Sequence, residues 1–255
     1  MKINVRYTIL VLFSAVLFSC ENEEIPSNTL FVKEISDPTF YKDLFEYENG
    51  YLVKFNRLFG ERIETTTQFQ YSGHQLSRVE IKRDQGLEQI IELSYGENGL
   101  RKEEKATTKQ NGDITEIRVG LFSYEDGMIK SIKYSYEGVD HKATETVFEW
   151  INGNITQMDF YLIDGEYTYL TSSRTMTYDD KRNFSNQDIG FIYRVMSGEE
   201  TIVSKNNVIE EFEDVGDLII NRGRYNFTYN NEGYPIGYIQ TVGSQEYNPV
   251  QINYK

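Results

Sequence analysis

The sequence predicts an all-β protein, an antiparallel up-and-down meander of about 16 strands made from about eight repeated hairpins. Three observations support this prediction. A short phrase recurs along the 255 residues, the segments between its turns alternate apolar and polar residues, and no proline lies between residues 39 and 234. A sheet with so many strands curls and closes, because closure removes exposed edges. We therefore expect a closed or nearly closed barrel, round or flattened, with a strongly curved open sheet as the alternative.

The recurring phrase is an aromatic residue, one variable residue, a Tyr or Trp, a turn with Gly or Asn, and then an aliphatic residue. One copy runs from Phe69 through Tyr71 to Leu76. Its key aromatic recurs in steps of 24 to 29 residues, apart from one double-length gap, at Tyr47, Tyr71, Tyr95, Tyr124, Trp150, Tyr178 and Tyr229. The double-length gap predicts a degenerate copy around residues 205–209.

Individual strands and turns follow from local chemistry. Tyr225, Phe227 and Tyr229 fall on one face of a predicted strand, and polar residues fall on the other. Tight turns between paired strands need residues that accept positive φ, which Gly and Asn do. The predicted turn glycines are Gly50, Gly73, Gly99, Gly127, Gly153 and Gly233.

The N-terminal residues have the composition of a secretory signal. Lys2 and Arg6 precede an apolar run that is too short to span a bilayer comfortably. The run ends in Leu17, Phe18, Ser19 and Cys20, which resembles the bacterial lipobox, where the Cys is lipidated and becomes the first residue. The alternative is an ordinary buried thiol in an uncleaved segment. We predict a signal peptide at 1–19, a lipidated Cys20 with an acidic, polar tether at 20–40, and a barrel domain at 41–255.

Charge and cysteine content limit the partners. The chain carries a net charge of −14, and loss of residues 1–19 removes two positive charges, which leaves −16. Such a surface repels nucleic acid, so we expect no nucleic-acid partner and attachment to the membrane through acyl chains on Cys20. With one cysteine, no intrachain disulfide forms. The acidic residues at 21–24 are either a solvated spacer or a signal that resembles surface-export sequences of Bacteroidota lipoproteins.

Together, the lipobox, the acidic tether and the Phe-x-Tyr-x-x-Gly-x-Leu hairpins resemble a family of secreted Bacteroidota proteins of unknown function with a porin-like fold. The resemblance covers about residues 41–255 and rests on patterning, without a catalytic motif to match. It implies a β-barrel at the outer membrane, on the cell surface or on the periplasmic face. A weaker likeness, to the Tyr-Asp repeats of toxin-encapsulating shells, rests on Tyr178 and Asp179 alone.

Which face of the predicted strands meets water decides between two kinds of barrel. Charges occur in the middle of strands, for example at Glu88, Glu92 and Arg118, and the strands are short for a bilayer crossing. We therefore predict that the apolar face points inward. The alternative is a membrane-embedded porin-like barrel, in which the aromatics at the turns form interfacial girdles.

Residues that carry chemistry are few. His74 and His141 both fall in predicted loops, and no nucleophile motif or metal-ligand spacing is present. The acidic run at 210–217 could hold calcium weakly, but it lacks the spacing of a dedicated loop. We expect no enzyme activity, no cofactor and no metal. The predicted function is a binding or accessory module for a small amphipathic ligand or glycan, and the alternative is a structural or protein-interaction component of the envelope.

Overall fold

The computed structural model describes residues 30–139, 141–184, 190, 204–216 and 218–255. These residues form an almost entirely β structure. One short 3-10 turn, Asp84–Gly86, interrupts the strands. The strands are β1 Val32–Ser36, β2 Lys42–Glu48, β3 Tyr51–Phe59, β4 Arg62–Ser72, β5 Gln75–Arg83, β6 Leu87–Tyr95, β7 Arg101–Gln110, β8 Asp113–Glu125, β9 Met128–Tyr136, β10 Lys142–Ile151, β11 Asn154–Asp164, β12 Tyr167–Arg182, β13 Asn206–Val215, β14 Leu218–Tyr229, β15 Pro235–Val242, β16 Gln245–Glu246 and β17 Val250–Tyr254.

The strands form one closed antiparallel barrel. From β1 to β15 each strand pairs with the next along the chain, β17 pairs with β15, and β1 pairs with both β2 and β17. The two-residue β16 pairs with β15 alone, so it stays outside the ring. The result is a 16-strand up-and-down barrel with one outside strand, and the predicted fold class is confirmed.

The barrel begins earlier in the chain than residue 41, the predicted boundary. Val32 and Ile35 of β1 are almost fully buried, at 1% and 2% exposure, and β1 fills the space between β2 and β17. Residues 32–36 belong to the barrel because these two apolar side chains face its interior. The polar residues around them give this segment the composition of a tether.

The repeated phrase has the same geometric meaning at most of its copies. In these hairpins the key aromatic lies directly opposite the aliphatic residue after the turn, as Tyr71 lies opposite Leu76, whereas Tyr95 lies opposite Arg101 and Tyr229 lies opposite Pro235. The next residue of the second strand, here Ser77, is a β-bulge, and pairing resumes one step on. Because the bulge adds one residue to the second strand, Val79, three residues after Leu76, lies opposite Phe69 and points inward with it.

All key aromatics lie at one end of the barrel, which we call the lower rim; the connections at the other end form the upper rim. Ladder pairing between neighbouring hairpins stops short of the lower rim. At β3 and β4 it ends at Lys54 and Gln68, and beyond that point the hydroxyl of Tyr71 donates to the carbonyl of Leu52 at 3.0 Å. We call this contact an aromatic clamp. Four further clamps join Tyr95 to Leu76, Trp150 to Ile129, Tyr178 to Ile155, and Tyr254 to Pro235.

The eighth copy of the unit is divided between the two ends of the described chain. Tyr254 of β17 lies opposite Val32 of β1, Lys33 is the bulge, and Ile252 lies opposite Ile35. This arrangement repeats the geometry of an ordinary hairpin without a turn. The predicted degenerate copy at 205–209 is instead the second half of the Tyr178 unit, since Tyr178 lies opposite Val208 with a bulge at Ile209.

Inward side chains form two apolar clusters. The larger one gathers residues of β1 to β7 and β17 around Phe55, and the smaller one is centred on Met158 in the wall opposite. Phe184, at the start of the β12–β13 connection, packs against the larger cluster. The β12–β13 connection therefore starts inside the barrel at the lower rim, where Phe184 lies.

Candidate functional site

The seam between β13 and β14 departs from the pattern of the other hairpin boundaries. Ladder pairing runs from Val215 opposite Leu218 only as far as Glu210 opposite Arg224. The phenol of Tyr229 occupies the position of a clamp, but it donates to the carboxylate of Asp179 on β12. The lower part of this seam is thus held by a side-chain contact rather than by a phenol–carbonyl clamp.

A cleft of about 560 Å³ lies at this seam. That volume is within the range of small-molecule sites. Its aromatic side chains come from alternate positions of β14, and its polar groups come from three strands. The lining residues are Asp179, Ile209, Glu210, Arg224, Tyr225, Asn226, Phe227 and Tyr229.

Asp179 organises the lower end of this cleft. Its carboxylate accepts hydrogen bonds from the backbone N–H groups of Lys181 at 3.0 Å and Asn207 at 3.1 Å, and from the Asn207 side chain at 3.2 Å. Burial, together with this neighbouring carboxylate, raises the pKa of Tyr229 above its usual range. The phenol stays protonated and remains a hydrogen-bond donor to Asp179.

The upper end of the cleft is closed by an ion pair. Nε of Arg224 lies 2.6 Å from a carboxylate oxygen of Glu210. Each charge is neutralised by the other, so the lining offers aromatic faces, the amide of Asn226 and a paired carboxylate. This chemistry suits a ligand with a flat apolar face and a few polar groups, and it provides no unpaired nucleophile.

Arginine–carboxylate pairs lie inside the barrel, towards the upper rim. Arg57 forms two 2.8 Å hydrogen bonds to the fully buried Asp43. On the opposite wall, Nε of Arg174 lies 3.1 Å from a carboxylate oxygen of Glu211. Burial raises the pKa of Glu211, and the nearby arginines oppose that shift only in part. The interior is therefore apolar near the lower rim and carries paired charges above it.

The outer wall carries charges along most of its strands. Glu46 and Lys54 face outward between inward pairs and lie 3.2 Å apart, and Arg78 contacts Glu80 at 2.9 Å. Away from the rims, the exposed large apolar side chains of the described residues reduce to Leu121. Between the rims, the exposed side chains of the described wall are therefore mainly polar or charged, whereas a bilayer-spanning barrel carries an outer apolar band there.

The sequence-predicted site residues have different outcomes. Leu17, Phe18, Ser19 and Cys20 lie outside the described residues. The six turn glycines all have positive φ and lie in lower-rim turns, with φ values of 83° for Gly50, 62° for Gly73, 76° for Gly99, 79° for Gly127, 82° for Gly153 and 81° for Gly233.

The structure does not bring the candidate chemical residues together. Nδ1 of His74 is hydrogen-bonded to the hydroxyl of Tyr51 at the lower rim, and His141 lies in an upper-rim turn. The acidic run alternates across the wall, because Glu211 points inward while Glu210 and Asp214 point outward. In the described residues no group of three or more His, Cys, Asp or Glu is placed to hold a metal ion.

Two functional features were not predicted from the sequence. The contact between Asp179 and Tyr229 joins residues 50 positions apart. The only sign of it in the sequence is the Asp that follows Tyr178. The inward-facing pair of Asp43 and Arg57 was also not predicted, because a charged residue in the middle of a strand is more commonly exposed.

Comparison with known proteins identifies the fold. No protein-family model and no curated protein matches the sequence. Among solved structures, a porin-like protein from Bacteroides uniformis ATCC 8492 matches with a TM-score of 0.54 and 14% identity over 89% of this chain and 96% of that one. A porin-like protein from Bacteroides vulgatus ATCC 8482 matches with a TM-score of 0.56 and 12% identity over 88% and 99%. The chain has a porin-like barrel fold.

At these identities the likeness extends to the fold alone. The resemblance in hairpin pattern that we drew from the sequence is confirmed for the porin-like barrel. In the described part of the chain, no helix is long and apolar enough to cross a membrane.

Proposed function

We propose that this protein is a lipid-anchored barrel of the bacterial outer membrane whose wall faces water, and that it acts as a non-enzymatic binding module. The observation that carries the proposal is the direction of the side chains. Apolar residues such as Phe55 and Met158 point inward, while outward positions carry pairs such as Glu46 and Lys54. A barrel with this polarity is stable in water and needs a separate anchor to stay at a membrane.

The anchor in this proposal is Cys20. It ends a lipobox-like sequence, and several acyl chains on one residue hold a protein at a bilayer stably. The likeness to porin-like Bacteroides proteins supports an outer-membrane location, on the cell surface or on the periplasmic face. The alternative, a porin-like barrel embedded in the bilayer, would bury the outward charges of Arg78 and Lys105 in hydrocarbon.

The binding site in this proposal is the β13–β14 cleft. Its aromatic residues are half-buried and accessible, and its charged groups are already paired. The ligand class is small and amphipathic, with a flat apolar face, and a glycan ring also has this character.

Membrane extraction tests the anchor. Cells that express the wild-type chain or Cys20→Ala are fractionated, and the membranes are washed with alkaline carbonate without detergent. We expect the wild type to stay in the membrane fraction and the variant to be released. Retention until detergent is added, by a Cys20→Ala chain from which residues 1–19 have been cleaved, would show that the barrel itself is embedded, which rejects the proposal.

Thermal shift measurements test the cleft. A panel of neutral glycans and sterol-like amphiphiles is added to the Cys20→Ala chain, and a bound ligand raises the melting temperature. The shift is expected to disappear in Phe227→Ala and to persist in Phe122→Ala, whose ring faces the interior from β8. A shift that survives Phe227→Ala would place the site elsewhere.

A further inference from the structure

The exposed apolar side chains are concentrated at the upper rim. Of the 19 large apolar side chains that are exposed among the described residues, 14 lie there. Seven of the eight upper-rim connections carry at least one, and the exception is the 3-10 turn Asp84–Gly86. They are Phe40, Phe59, Ile63, Ile114, Val139, Leu162, Tyr167, Tyr169, Leu170, Val215, Leu218, Ile219, Ile220 and Tyr247.

Two adjacent hairpins carry most of them. In the β13–β14 hairpin, Ile219 is 76% exposed and Leu218 is 66% exposed; in the β11–β12 hairpin, Tyr167 is 68% exposed. Both faces of these hairpins are apolar. Ile219 and Ile220 follow one another along β14 and so point to opposite faces, and the same holds for Tyr169 and Leu170, whose partners on β11 are also consecutive.

We propose that the upper rim docks on the surface of a lipid bilayer, with the β11–β12 and β13–β14 hairpins entering its interfacial region. A protein partner covers one face of a hairpin, whereas acyl chains and headgroups surround both. A circle of apolar tips at one end of a barrel also matches a plane better than it matches a local patch on a partner protein. The exposed tyrosines Tyr167 and Tyr169 have the amphipathic character favoured at this depth.

Charge favours an uncharged surface and argues against a second copy of the chain. The same tips carry Asp164, Glu166 and Asp214, all exposed, on a chain with a net charge of −14. Two such rims would repel each other, and an anionic bilayer would repel the rim at low ionic strength. A zwitterionic surface has no such penalty, because the carboxylates stay at the level of the headgroups while the apolar tips enter below them.

This contact is compatible with an anchor at Cys20. The first strand enters the barrel at the lower rim, twelve residues after Cys20. Twelve extended residues reach about 40 Å, whereas tilted strands of ordinary length span about 25 Å. The tether is therefore long enough for one bilayer to hold both the anchor and the upper rim.

Vesicle flotation tests the inference without the anchor. The Cys20→Ala chain is mixed with phosphatidylcholine vesicles or with vesicles that also contain phosphatidylglycerol. We expect flotation with the zwitterionic vesicles, weaker flotation with the anionic ones at low salt, and recovery of the latter at high salt. In the double variant Leu218→Ser and Ile219→Ser, the bound fraction is expected to fall about tenfold or more. The matched control, Ile151→Ser, changes a lower-rim side chain that is 58% exposed and leaves flotation unchanged.

Three results would overturn the inference. They are the absence of flotation on either vesicle, equal flotation of the double variant and the wild type, and a dimer in solution that the double variant dissociates. The last would identify a second copy as the occupant of the rim. Circular dichroism and a melting curve on each variant separate loss of the surface from loss of the fold.

Discussion

At the scale of the residue, the key aromatic of each clamped hairpin boundary contributes a polar atom as well as a ring. Tyr71, Tyr95 and Tyr254 donate through phenols, and Trp150 donates through its indole N–H to the carbonyl of Ile129 at 2.7 Å. A phenylalanine fills the same volume but leaves a carbonyl without a partner. This explains why Trp replaces Tyr in one copy while Phe does so in none.

The clamp predicts a measurable loss when the hydroxyl alone is removed. Tyr71→Phe keeps the ring and deletes the bond to the Leu52 carbonyl, so the free energy of unfolding should fall by about 1 to 2 kcal/mol. Urea unfolding measures this change. Tyr167→Phe, at a ring that is 68% exposed, is the control and should alter stability little. Equal effects of the two substitutions would show that the clamp contributes nothing.

Glu211 predicts a pH-dependent contribution to stability. Burial raises its pKa above the ordinary value of 4.5, so the folded chain binds this proton more tightly than the unfolded chain does. The stability contributed at low pH is therefore lost as the pH rises from the unfolded pKa through the folded pKa. In Glu211→Gln this loss is absent. The difference in free energy of unfolding between variant and wild type should change as the pH rises above the ordinary pKa of 4.5 and through the raised pKa of the folded chain. A constant difference would contradict the assignment.

At the scale of the element, the unit is a hairpin with an inward pair, a bulge and a second inward pair. The closing unit shows that the turn is dispensable, since Tyr254 and Val32 meet without one. What defines the unit is the pairing across the two strands. The chain ends supply the two halves of the eighth copy, so the barrel closes through the same interactions that build it.

Removal of β1 tests that closure. A chain that starts at residue 37 lacks Val32 and Ile35 and exposes the edges of β2 and β17. Relative to a chain that starts at residue 30, it should lose about 3 to 6 kcal/mol of apolar burial and should associate through its open edges. Size-exclusion chromatography and urea unfolding report both effects, and a synthetic peptide of residues 30–36 should reverse them. A monomeric chain of unchanged stability would mean that β1 does not close the barrel.

The sequence predicts the hairpins well, because their signals are local. Alternation and positive-φ turns mark Tyr71 and Gly73 within a few residues of each other. Closure was predicted from the number of strands, but β1, the strand that completes it, was not predicted, because it pairs with a strand more than 200 residues away. Bulges also cause errors in predictions that rest on simple alternation. Simple alternation places Ile114 on the face of Glu116, but the bulge at Thr115 moves Ile114 to the opposite face.

The cleft was the least predictable feature. It depends on where the ladder between β13 and β14 stops, and on a side-chain contact from a third strand. Neither of these two features produces a periodic pattern in the sequence. Tyr229 looks like an ordinary member of the repeat, and only its partner, Asp179, distinguishes it from the clamps.

At the scale of the whole molecule, the barrel has the strand number of a porin-like protein, with apolar clusters inside and charged pairs on its outer wall. In the proposed function, the inner clusters stabilise the fold and the outer charges keep the wall in water. Contact with a membrane is then confined to the proposed anchor at Cys20 and the proposed docking surface at the upper rim. In this proposal the outer wall between the two rims makes no contact with the membrane.

Accessibility of the outer wall tests this account most directly. A single cysteine is placed outward in the middle of the wall, at Gln68 or Ser173, and inward at Thr67 as a control, in the chain bound to native membranes. If Cys20 is lipidated as proposed, it has no free thiol, so the wild type should not be labelled. We predict that a membrane-impermeant maleimide labels Gln68→Cys and Ser173→Cys rapidly in detergent-free membranes opened to the reagent on both sides, and that brominated lipids do not quench a fluorophore attached there. Outward positions that resist the reagent and are quenched by lipid would show that the wall lies in the bilayer.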